Sequence, residues 1–525
     1  MPLEPTITNS YSMDIIIKIC GTLATFIIFM FISAWHLTRK KYKLPQFIQS
    51  AFPLNNIKDL LNLNFLNTCY NSSKNNSNYR SVAAPFAMRK MAIIINDINW
   101  CFNHKPNLIF TVPFSLVPKS ITKSWQGILF SQDSTEAEVL RCLVVKGFES
   151  IDWSVLNKAI DFGMRYCKDS KINIDASAQL ISFESIMGYS VDSEKLESKL
   201  VFITKIVNLT DEFSDYYYDG ELLNKTSNDS DGGSREASGF VETVNRLLNP
   251  VIESALFHSD SQYSSAIPLT VVSENILSQI AKLRHHIREE NVDCNLLTIE
   301  NFSHVIFEHC FILSVVLRKS LRAIQYLCCL SPEIIGAIKK EVLHEISVED
   351  EKSIQLLDYY LEASTSLVYT KSVAQELMRH LAIGIDFDLS ITERDGSVGN
   401  LDLLENSVIV LNHFAFSRDK CCHINDVEDA EYFRPGRFIK YNSNEQKYFF
   451  YNSQKFVSFQ DQWHIVGLPR NFICRILLLL LVKIATPGYF IDMSCQAYTV
   501  NATQYELLYD LNTKFKWDWN SCSDN

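Results

Sequence analysis

From Ile15 to Leu37 the chain reads IIIKICGTLATFIIFMFISAWHL, an apolar run whose only charge is Lys18. At ~1.5 Å per residue such a run crosses a hydrocarbon core about 30 Å thick. Lys18 lies near one end, where its stem can snorkel to the head groups, and Trp35 and His36 sit at the other border. Further on, MAIIINDINWCF (91–102) is rich in isoleucine and begins as a strand. Residues 133–147 carry apolar positions at helical spacing behind Asp133, Ser134 and Thr135, which suit a cap. Helices are also predicted over 153–168 and 176–190. The longest, Leu297 to Cys329, is apolar around most of its circumference and is therefore expected to be buried. It breaks at Ser331-Pro332-Glu333, and an amphipathic helix follows from Glu333 to Ile346. Residues 351–381 read as further helices, and LSITERDG and LENSVIVLNHF as short strands. Phe472 to Ala485 is a very apolar helix, too short and too charged (Arg475, Lys483) for a second span.

Charges flanking the first apolar run orient it. Glu4 and Asp14 precede it, and Arg39, Lys40, Lys41 and Lys43 follow, so the positive-inside rule leaves the N-terminus outside and the body in the cytosol. A cleaved signal peptide is disfavoured, because the run is long and its basic residues follow rather than precede it. The predicted organisation is a tail (1–14), a transmembrane anchor (15–37), a basic and polar linker (38–80) and one body (81–525). Residues 71–78, NSSKNNSN, read as a polar loop, and 224–238, NKTSNDSDGGSREAS, as a surface loop.

Composition narrows the class. With 47% hydrophobic residues among 525, the chain can bury a large core, and its scarce glycine fits long helices better than a barrel. The net charge of -11 argues against nucleic acid as a partner. None of the 14 cysteines forms a Cys-x-x-Cys pair, which fits reduced, mostly buried thiols. The glycosylation sequons at Asn71, Asn208 and Asn501 matter only for a lumenal body. Together these features predict a mainly α chain with small β-sheets, an α+β class.

Three signals follow one another in the last third. Glu376-Leu377-Met378-Arg379 puts a glutamate and an arginine on one helix face. Phe433-Arg434-Pro435-Gly436-Arg437-Phe438 comes next, behind an acidic lead-in, and then Phe456-Val457-Ser458-Phe459 and the loop Gln460 to Gly467. In this order, after a long buried helix ending at Ser-Pro-Glu and an N-terminal anchor, they resemble the cytochrome P-450 family. The resemblance covers the anchor and about residues 300–490. It implies a cytochrome P-450 fold preceded by one transmembrane helix, held to the endoplasmic reticulum membrane with the body in the cytosol. It also implies a buried structural triad of Glu376, Arg379 and Arg437 and a haem cofactor.

The pattern fails where chemistry would begin. The family's thiolate cysteine, which favours O–O cleavage, falls at Val466, and Gln460 and Gln462 replace the loop's two glycines. The nearest following cysteine, Cys474, lies on the apolar helix and out of position. The centre of the long helix reads Ile312-Leu313-Ser314-Val315-Val316, leaving Ser314 as the sole hydroxyl of the proton relay. Glu308 and His309, one turn earlier, read as buried polar residues with local partners. His464 and Arg141 are the candidate propionate contacts, Arg141 without the family's tryptophan because Ala137 stands in that place. The expectation is a pseudoenzyme that binds a lipid or a protein partner. The alternative is a haem monooxygenase that hydroxylates a sterol, terpene or fatty acid with electrons from an NADPH-dependent reductase.

Overall fold

A computed structural model of the protein describes residues 21–22, 46–47, 57–61, 63–75, 81–86, 90–97, 100, 111–113, 125, 127–129, 135–166, 174–188, 196–218 and 239–253. Further on it describes 255, 276–277, 279–280, 298–330, 332–346, 363–381, 389–398, 401–418, 433–451, 468–485, 490–491 and 517–518. Apart from residues 21–22, the predicted anchor lies outside these residues, as do the loops 224–238 and 456–467. The architecture is mainly helical with small sheets, an α+β fold.

Among the described residues the principal helices are α1 (Leu63–Asn75), α2 (Thr135–Glu149), α3 (Trp153–Tyr166), α4 (Ile174–Met187), α5 (Leu196–Tyr218) and α6 (239–253). They continue with α7 (Ile299–Leu330), α8 (Pro332–Glu345), α9 (Val368–Leu381) and α10 (Arg470–Ala485). Helix α7 is the axis of the core. By length and composition its Ile299–Leu321 portion could cross a membrane, but 89% of that window is buried in protein, which identifies a core helix. Thr298 caps it, its Oγ1 accepting from the Asn301 N–H at 3.2 Å and donating to Asn301 Oδ1 at 2.7 Å. Inside the helix, Ser314 and Ser320 return their hydroxyls to the carbonyls of Phe311 and Val316.

Polar stitches between helices accompany the apolar packing. Ser182 of α4 donates to the Cys310 carbonyl of α7 at 2.7 Å, and Ser303 donates to Asn249 of α6 at 2.6 Å. Gln179 reaches Asp211 of α5, and Lys483 of α10 pairs with Asp161 of α3 at 2.6 Å. Helix α3 approaches α4 through Gly163, where a Cβ would strike Ile181 and the backbone of Ser177. Asp152 caps α3 by accepting from the Ser154 N–H, and α4 ends at Gly188, whose φ of 23° suits a glycine.

The main sheet contains six strands in the order β1-β2-β3-β8-β5-β4: β1 (Gln46–Phe47), β2 (Ser81–Phe86), β3 (Lys90–Ile95), β4 (Thr111–Pro113), β5 (Leu389–Thr392) and β8 (Val408–Leu411). Two hairpins stand apart, β6 (Gly396–Val398) with β7 (Leu401–Leu403), and β9 (Ile439–Asn442) with β10 (Lys447–Phe450). The isoleucine run of β3 lies parallel to β8. Its alternate residues split between two cores, Ala92 and Ile94 facing the helices, Ile93 and Ile95 joining Trp100, Leu403 and Phe416.

Within the stretch read as a linker, 38–80, β1 pairs with β2, and α1 buries Leu66 and Cys69 in the main core. One expectation changes. The loop predicted over 71–78 is helical as far as Asn75. There Asn71 donates to Asn67 and Ser73 to the Tyr70 carbonyl, so the polar side chains are satisfied within the helix instead of opening it.

Asn412 joins these parts at the end of β8. Its Nδ2 donates to the Leu66 carbonyl at 3.0 Å and to Asn96 Oδ1 at 2.7 Å, and its Oδ1 accepts from the Ala415 N–H. Asn412→Ala strands those buried groups and is expected to cost roughly 1–3 kcal/mol, read as a lower melting temperature of the full chain in detergent.

Candidate functional site

Two carboxylates with no exposed surface, Glu376 and Glu308, organise the polar interior of the described structure. Glu376 lies on α9. Helical spacing brings Arg379 alongside it, and the guanidinium donates from Nε to Oε2 and from Nη2 to Oε1, both at 2.8 Å. Arg437 comes from the 3₁₀ turn Pro435–Phe438, its Nε 3.0 Å from Oε2. The Arg434 N–H adds a bond to Oε1 at 2.7 Å. Pro435 supplies the fixed φ at the start of the turn, and Phe438 is buried beneath it. Arg379 is spent further, donating from Nη1 to the Ser417 carbonyl at 3.2 Å. Next to it Arg418 donates to the Phe414 carbonyl and lies over the Phe414 ring at 3.5 Å. The three residues expected to form a triad therefore meet on one carboxylate.

Glu308 lies on the face of α7 that meets residues 125 and 127–129. The Trp125 indole N–H donates to its Oε1 at 2.7 Å, and the Ile128 N–H to its Oε2 at 2.6 Å. The Leu129 N–H is shared between both oxygens at 3.1 and 3.0 Å. Gly127 permits this closeness, since a Cβ there would fall on the carboxylate. The Trp125 ring stacks on His304 at 4.2 Å and packs among Phe213, Phe240 and Phe307 at 5.6–6.1 Å. Burial pushes the Glu308 carboxyl up to about 7, against the pull of the N–H donors and of the Arg141 charge. Burial pushes His304 the other way, down to about 4, opposed by Glu300.

Ser314 is tied to its own helix through Phe311, so its hydroxyl proton is already committed. Arg141 lies on α2, where its charge acts on Glu308. His464 and Val466 lie outside the described residues. His309 has the local partner expected of it, the Val305 carbonyl at 2.6 Å. Glu308 does not: its partners lie about 180 positions earlier in the chain. Trp125 and Gly127 were missed, and backbone N–H donors leave no mark on a sequence. The one available signal was the glycine between a tryptophan and an apolar pair. Cys474 packs its Sγ against Met378 Sδ at 3.1 Å, with Gln375 Oε1 at 3.7 Å.

Compared with known proteins, the chain matches no family model and no curated protein.

Glu376→Ala leaves the buried Arg379 guanidinium without its counter-charge. It is expected to cost about 3–5 kcal/mol and to lower the yield of folded protein sharply, measured by thermal melting. For Glu308 the sign follows from its raised value. The folded chain keeps the proton between the ordinary 4.5 and about 7 while the unfolded chain loses it, so stability from this group falls as pH rises through that window. His304 works in the opposite direction, losing its burial cost as pH rises from about 4 to the ordinary 6.5. The stability of the natural chain minus that of Glu308→Gln removes the histidine contribution. That difference is expected to decline from pH 4.5 and to level off above pH 7, measured by melting at fixed ionic strength.

Proposed function

We propose that this chain is a membrane-anchored member of the cytochrome P-450 family that has given up oxygen activation and keeps the fold for binding a lipid or a protein partner. The observation that carries the family reading is the meeting of Glu376, Arg379 and Arg437 on one buried carboxylate. The sequence of elements supports it: a long buried helix, a break at Pro332, a helix bearing Glu-x-x-Arg, a turn bearing Pro-Gly-Arg-Phe and a late apolar helix. The anchor over 15–37 and the endoplasmic reticulum membrane belong to the same proposal and rest on the apolar run and its basic flank.

Loss of chemistry rests first on Val466, which has no lone pair for iron. Among the described residues, the side chains that the resemblance sets near a haem have protein partners. The Cys474 thiol is turned to Met378 and Gln375 on α9, and the Ser314 hydroxyl donates to its own helix. Arg141, the candidate propionate partner, has a protein carboxylate, Glu308, within its field. A fold that holds its structural triad while its ligand, loop glycines and relay are replaced is suited to binding rather than to turnover.

The test is spectroscopic. Full-length protein extracted in detergent after expression with added haem precursor is expected to carry little haem and to give no thiolate-type Soret band when reduced under carbon monoxide. Stoichiometric haem with that band would overturn the proposal and favour a monooxygenase acting on a hydrophobic substrate.

A further inference from the structure

We propose that residues 125 and 127–129 form a carboxylate-binding loop whose occupant is the chain's own Glu308, so that one internal carboxylate latches this loop to the central helix. The inference stands on the geometry around Glu308 and not on the family reading.

Three features mark the loop as a receptor for a carboxylate. Its donors converge: the indole N–H of Trp125 and the successive backbone N–H groups of Ile128 and Leu129 all point at one pair of oxygens, between 2.6 and 3.1 Å away. Consecutive N–H groups aimed at one anion form the kind of concavity that binds phosphates and carboxylates elsewhere. Its shape is also matched to a carboxylate, because Gly127 leaves no side chain where the oxygens lie. Finally, the positive charge of Arg141 on α2 favours the ionised form, against the larger effect of burial, which holds the carboxyl up to about 7. A buried hydrophobic side chain at position 308 would leave the donors unmatched, while an amide would fill the same space and accept through its one oxygen.

The latch explains why a glutamate sits in the buried middle of α7, between Phe307 and His309. It also explains how the loop, which places Trp125, Ile128 and Leu129 in the core, is fixed over the helix. The chemistry that would replace Glu308 is a free carboxylate small enough for the same donors.

Chemical rescue tests this directly. The full chain in detergent, at pH 8, is compared as wild type, Glu308→Ala and Glu308→Gln, with acetate titrated against chloride at equal ionic strength. Glu308→Ala is expected to melt lower than wild type, and acetate to recover much of that loss in a saturable manner. Wild type and Glu308→Gln, whose receptors are filled by a side chain, are expected to respond to acetate no more than to chloride. No recovery in Glu308→Ala, or an equal response in all three chains, overturns the proposal. If Glu308→Ala gives no folded protein, Gly127→Ala carries the test. Its Cβ displaces the carboxylate, so the Ile128 and Leu129 amides are expected to exchange with deuterium at least tenfold faster, and unchanged exchange overturns the latch.

Discussion

A carboxylate taken wholly out of water must bring its donors with it, and this constraint fixes the polar interior of the protein. Glu376 gathers donors from three places: Arg379 one turn along its own helix, Arg437 from the 3₁₀ turn, and the Arg434 backbone. Because Arg379 also donates to the Ser417 carbonyl, the segment after the main sheet is held by the same charge. Glu308 applies the rule again, to a loop about 180 residues away in sequence. Apolar packing alone would leave these segments free to slide, since it carries little directional information. Directional bonds to a buried charge allow one arrangement.

The proposed family reading turns on a separation between scaffold and chemistry. In such a fold the triad is a matter of stability, and the thiolate, the loop glycines and the relay are matters of reaction. Here the first set forms a bonded unit and the second is replaced by Val466, Gln460, Gln462 and an apolar helix centre. The side chains near that centre are turned to internal duties. Ser314 bonds its own backbone, Ser182 bonds the Cys310 carbonyl, and aromatic rings from α5, α6 and α7 stack around Trp125.

Much of the frame was legible because it follows from local rules. The isoleucine run of β3, the apolar circumference of α7, the proline break before α8 and the Glu-x-x-Arg spacing of α9 each depend on residues within one or two turns. Arg437 was legible too, through the Phe-Arg-Pro-Gly-Arg-Phe segment. What depends on distant partners was not. Nothing around Glu308 announces that its acceptors will be met by Trp125, Ile128 and Leu129. The bounds of α5 and α6 were hidden likewise, since each helix is tied to another by long-range bonds, among them Asp211 to Gln179 and Asn249 to Ser303. The helical end of α1 was missed for the opposite reason: Asn71 and Ser73 bond within the helix, where composition alone reads as loop.

The central claim, that one buried carboxylate couples helix α9 to the Pro435–Phe438 turn, is tested most directly by a double-mutant cycle on Glu376→Gln and Arg437→Met. Unfolding free energies of the two single variants and the double variant yield the coupling between the residues. A coupling of roughly 1–3 kcal/mol is predicted, as befits a contact of 3.0 Å to a fully buried oxygen. Costs that simply add, to within about 0.5 kcal/mol, would contradict it.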